Sequence, residues 1–186
     1  MQKFHTLCAC LLLLSGIALA QATKPAEPQT VTQVLDRSVT NVENEFVPAA
    51  GAMPEDKYSF APTTGEFKGV RTFAQQVKHV AAVNNLLAAA ILEEKSPVDT
   101  GGENGPDSIK SKADIVKYLK DSFAYLHKAT LSVNDKNLIA PIKNPFGDGA
   151  ATRLALATGA VGHCFDHYGQ MVEYLRLNGI VPPASR

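Results

Sequence analysis

The chain has 186 residues, 18 Lys+Arg against 18 Asp+Glu, and a formal net charge of +0. Balanced charge without long single-sign runs excludes the electrostatic footprint of a nucleic-acid binder or an anionic-membrane binder. The length suits one domain with a sizeable core, and the absence of Trp and scarcity of period-two alternation favour helices over strands.

The first 20 residues read as a signal peptide. Lys3 supplies a positive start, Leu7 to Ile17 an apolar run, and Ala18-Leu19-Ala20 a cleavage motif before Gln21. The run is too short to span a bilayer. The expected product is a periplasmic or secreted domain covering 21–186, with no membrane anchor after cleavage. Cys8 and Cys10 leave with the peptide, and Cys164 alone cannot form an internal disulfide.

After a Pro-containing leader to about Gln29, Thr30 or Thr32 caps a first predicted helix, with Val31, Val34, Leu35, Val39, Val42 and Phe46 at helical spacing. Pro48 and the Gly51–Pro54 cluster are expected to end it near Phe46. Met53 to Gly69 reads as an extended excursion punctuated by Pro54, Pro62 and Gly65. A second helix is predicted from about Val70 to Glu94, where Ser96-Pro97 stops it. The loop from Ser96 to about Ile109 is long for a compact domain, and in helical bundles such a loop marks a crossover between parallel neighbours. A third helix starts at a Ser111 cap with Asp114 at the box position, and carries Ile115, Tyr118, Leu119, Ser122, Phe123, Leu126 and Thr130. An irregular connection containing Pro141, Pro145, Gly147 and Gly149 leads to a last helix from about Ala150 to Leu177, stopped by Asn178-Gly179. These elements describe an all-α, four-helix bundle with crossover connections.

His163 and His167 lie four residues apart in the last helix, so both imidazoles share a face and can reach one cation. At about 100° per residue that face also carries Leu156, Ala160, Gln170 and Tyr174. A second apolar stripe, including Leu154, Val161, Phe165, Tyr168, Val172 and Leu175, lies on the far side, as for a helix buried twice over or packed against another copy. His79 interrupts the apolar second helix on a face shared with Gln75, Gln76, Val83 and Leu86; burying it without a partner would be costly. Three imidazoles with an open fourth position are the ligand set of a catalytic zinc site. The same histidines could instead bond to backbone or solvent. Gln75, Gln76 and Gln170 are the candidates to hold the second ring nitrogens.

Of the other residues near this constellation, His127 reads as a helix-surface histidine flanked by Lys120 and Lys128. Cys164 reads as a small buried side chain and Asp166 as a solvated carboxylate. Gly159, Gly162 and Gly169 thin the wall of the last helix, leaving room for a substrate or for a closely packed helix.

Three segments together resemble the DinB-like (YfiT-like) superfamily: Met53-Pro54-Glu55-Asp56-Lys57-Tyr58-Ser59-Phe60-Ala61-Pro62, Arg71 to His79, and His163 to Arg176. The resemblance implies an up-down-down-up bundle with its crossover between helices two and three. It also implies a divalent metal held by one histidine of helix two and two of helix four, which map onto His79, His163 and His167. Some relatives are similar to transferases or isomerases that use mycothiol, bacillithiol or glutathione, thiols of the cytosol, whereas this chain is expected to be exported. The expectation is a metal-dependent enzyme of hydrolase or thiol-transferase type acting on an unknown small molecule. Zinc is favoured, and nickel or another transition metal would accept the same ligands. The alternatives are a non-catalytic metal-binding protein of the envelope and a metal-free bundle that acts as a homodimer through its second apolar stripe.

Overall fold

The computed structural model describes residues 27–186, so the expected signal peptide lies outside the described residues. Four helices dominate: α1 (Val31–Ala52), α2 (Phe73–Leu92), α3 (Lys112–Leu131) and α4 (Arg153–Leu177). Each starts on a hydroxyl cap. Thr30, Thr72, Ser111 and Thr152 accept from the backbone N–H three residues on, and at Thr30 and Thr72 the glutamines Gln33 and Gln75 close the reciprocal half of a capping box. Such a cap contributes about 1 kcal/mol.

Helix α1 packs on α3 and α4, and α2 packs on the same two, placing α1 and α2 at opposite corners. The end contacts give the directions. Thr32 at the start of α1 donates to Val133 past the end of α3, while Lys112 at the start of α3 donates to Gly51 at the end of α1. These two run antiparallel. Glu94, just past α2, pairs with Tyr125 and Lys128 late in α3, so α2 and α3 are parallel. Arg153 at the start of α4 donates to the Ile91 carbonyl at the end of α2 and pairs with Glu93, so α2 and α4 are antiparallel. The order is up-down-down-up, and the loop between α2 and α3 is the expected crossover.

The core joins Phe46, Met53, Phe73, Ile91, Ile115, Leu119, Phe123, Leu126, Met171 and Leu175, all fully buried. Phe46 meets Phe123 at 6.3 Å between ring centroids, bridging α1 and α3. Asn84 ties three helices at once, donating to Ser122 of α3 at 3.4 Å and accepting from the Cys164 thiol of α4 at 3.4 Å. The Cys164 side chain is indeed small and buried, and burial pushes its thiol up to about 12.

Two boundaries differ from the periodicity reading. Helix α1 continues through Pro48 to Ala52. Proline supplies no N–H to the carbonyl four residues earlier, but Pro48 and Asn44 both lie on the exposed side, where water can take that carbonyl. The buried Ala49, Ala50 and Met53 hold the last turn, and Tyr58 donates back to the Ala50 carbonyl at 2.6 Å. Before α4 a short antiparallel pair forms, β1 (Pro141–Lys143) in the connection expected to be irregular and β2 (Ala150–Thr152) where the last helix is expected to begin, with Ile142 opposite Ala151. The excursion between α1 and α2 returns to the bundle: Phe60 and Tyr58 offer their carbonyls to the free N–H groups of Phe73 and Ala74 at 2.8 Å each. Among the described residues, no helix is long and apolar enough to cross a membrane.

Candidate metal centre

The antiparallel packing of α2 against α4 brings His79 beside His163 and His167. The ring centroids lie 5.0 Å apart for His79 and His163, 4.7 Å for His79 and His167, and 4.5 Å for His163 and His167. One nitrogen from each falls within 4.8 Å of the others. His79 and His167 are buried and His163 is half-buried.

The hydrogen bonds around the rings fix which nitrogens face inward. His79 Nδ1 lies 2.5 Å from the Glu103 carbonyl and His167 Nδ1 lies 2.6 Å from Gln76 Oε1. Both oxygens can only accept, so both Nδ1 atoms carry the proton and both Nε2 atoms present lone pairs. His163 Nε2 sits 3.0 Å from His79 Nε2, and His163 Nδ1 is buried with no hydrogen-bond partner.

Burial holds all three imidazoles neutral. It lowers His79 below the ordinary histidine value and takes His163 down to about 3 and His167 to about 4; neighbouring imidazoles reinforce the latter two shifts. Neutral imidazoles crowded around a point, two of them with lone pairs already oriented by their outer hydrogen bonds, fit the requirements of a divalent cation.

The expected supporting glutamines divide. Gln76 holds His167 and donates its Nε2 to Gln170 Oε1 at 2.8 Å; Gln170 in turn donates to Asp166 at 3.2 Å. Gln75 instead closes the cap of α2, where its side chain accepts from the Thr72 N–H. Asp166 is exposed, as expected, yet it ends this amide relay. The Glu103 carbonyl had no signature in the sequence, because a main-chain oxygen belongs to no residue type. Its placement follows from two glycines. Gly101 and Gly105 adopt φ of 55° and 73°, and a Cβ on Gly105 would lie 3.0 Å from the Lys78 side chain. Without side chains there, the crossover loop approaches α2 one residue before His79.

His127 lies away from this cluster and is not a free surface group. It is half-buried between α1 and α3, with Nδ1 2.6 Å from Asp36 and Nε2 3.1 Å from Glu43. The lysines beside it in sequence gave the wrong cue, because its partners belong to another helix.

The DinB superfamily profile matches residues 39–171, which include most of the bundle and all three histidines. The chain belongs to the DinB superfamily. A DinB-like protein of Bacillus subtilis shares 20% identity and a TM-score of 0.60, over 78% of this chain and 92% of that one. A DinB-like protein of Bacillus cereus shares 18% identity and a TM-score of 0.63, over 83% and 97%. A conserved protein of Enterococcus faecalis gives 15% and 0.62, over 81% and 98%. Comparison with curated proteins returns no match. At these identities the DinB-like structures share the fold with this chain, and the chemistry rests on its own residues.

Proposed function

We propose that the protein is an exported, metal-dependent enzyme that holds a divalent cation, zinc in the first instance, on His79, His163 and His167. The observation that carries this reading is the orientation of the rings: the Glu103 carbonyl and the Gln76 amide occupy Nδ1 of His79 and His167 and leave both Nε2 lone pairs pointing into the cluster. A cation held there supplies Lewis acidity toward an oxygen or sulfur of a small-molecule substrate, the chemistry of hydrolysis or of thiol transfer. The histidines bind, and Gln76 with Gln170 keeps His167 in its tautomer. The export half of the proposal rests on Lys3, the Leu7–Ile17 run and the Ala18-Leu19-Ala20 motif.

The test is metal analysis and N-terminal sequencing of protein recovered from the periplasm or medium of expressing cells. The expected result is a chain starting at Gln21 with one divalent ion per molecule, lost in His163→Ala. Metal-free wild-type protein after incubation with zinc or nickel would sink the site, and an intact N-terminus retained in the cytoplasm would sink the export. Activity in a screen of hydrolytic and thiol-transfer substrates, absent in His79→Ala, separates an enzyme from an envelope metal-binding protein.

A further inference from the structure

The three histidines form the floor of a cavity of about 450 Å³, within the size range of small-molecule sites. Its walls are hydrocarbon: Val83 and Leu87 from α2, Ala155, Leu156 and Gly159 from α4, and Phe146 from the turn between β1 and β2. Val83, Leu87 and Leu156 are buried, whereas Phe146 is 46% exposed and lines the same space. The remaining lining residue is Glu103, an exposed carboxylate whose field reaches His79. A negative group at the rim disfavours anionic tails, and the apolar walls leave a polar tail without partners.

Gly159 is an exposed lining residue that adds no side chain to this space. A Cβ there would meet nothing within 4 Å, so the glycine serves no close helix contact; it keeps one side of the cavity open. The sequence alone left open whether this glycine made room for a substrate or for a neighbouring helix, and no neighbouring helix approaches it.

We infer that the site takes neutral amphiphiles: small molecules whose metal-coordinating head carries an uncharged aliphatic or aromatic tail, seated between Val83, Leu87 and Leu156 and against Phe146. This inference rests on the metal-site reading above and names the substrate class of that same site. Gly159 and Phe146 are its specificity-determining positions.

The probe is a series of straight-chain hydroxamates, from acetohydroxamate to octanohydroxamate, titrated calorimetrically into zinc-loaded protein. Each methylene moved from water into such walls improves affinity about fourfold, so hexanohydroxamate, four methylenes longer, is expected to bind on the order of 200-fold tighter than acetohydroxamate. Gly159→Phe places a ring in the cavity and is expected to abolish this chain-length dependence while keeping one zinc per molecule. Phe146→Ala, on an exposed turn that does not hold the bundle together, is expected to reduce the dependence severalfold. Full zinc loading with affinity independent of chain length overturns this inference and leaves the metal site standing; failure to load zinc overturns both.

Discussion

The side chain of Gln76 performs two tasks at once, accepting from His167 Nδ1 and donating to Gln170. Its neighbour Gln75, identical in chemistry, faces away and caps the helix. The pair therefore separates ligand support from helix support within one dipeptide. Gln76→Ala is expected to weaken zinc affinity about 10- to 100-fold, the range found when a histidine ligand loses its oriented acceptor. Gln75→Ala is expected to lower stability by about 1 kcal/mol through the lost half-cap and leave zinc affinity unchanged. Chelator competition and thermal melts on the two variants measure both. Equal effects on zinc affinity would show that the relay does not orient His167.

Between elements, the polar joint of α1 and α3 is the second consequence of where histidines fall. His127 has a carboxylate on each ring nitrogen, and only the imidazolium can donate to both. Burial pulls its pKa down, but the bonds to Asp36 and Glu43 outweigh burial, and the net shift is above the ordinary value of 6.5. A histidine raised on folding contributes stability that is fully present below its unfolded value and is lost as pH rises through the folded value. His127→Gln is therefore expected to cost about 1 kcal/mol near pH 6, in keeping with a half-exposed ion pair, and much less near pH 9. Melting curves at the two pH values provide the check, and a penalty that does not shrink with pH would argue against the imidazolium clamp. The sequence could not reveal this joint, because the partners of His127 lie 91 and 84 residues upstream. What it did reveal were elements with local signals. Hydroxyl caps at Thr30 and Ser111 and heptad-like spacing of Val39, Val42 and Phe46 marked helices, and the spacing of His163 and His167 marked their shared face. The three-residue strands lacked any such period, and Pro48 read as a stop because its tolerance depends on facing solvent.

At the scale of the whole molecule, the candidate ligands join segments 84 residues apart, His79 to His163, through two helices that meet only when the bundle is assembled. An unfolded chain offers no such cluster, so cation binding and global folding are linked. With free zinc about 1,000-fold above its dissociation constant, the stabilisation is about 4 kcal/mol, or on the order of 10 °C in Tm for a chain of this length. Scanning calorimetry with zinc and with a chelator reads the difference, which is expected to vanish in His163→Ala. A wild-type Tm indifferent to zinc would mean that the bundle closes without help from the cluster. The crossover loop adds a last asymmetry. His167 is steadied by a side chain, but His79 is steadied by the peptide oxygen of residue 103. Codon changes at position 103 can therefore rewrite the electrostatics of the entrance, from acidic to neutral to basic, while the brace beneath stays in place, and selectivity at the mouth can diverge without disturbing the imidazole behind it.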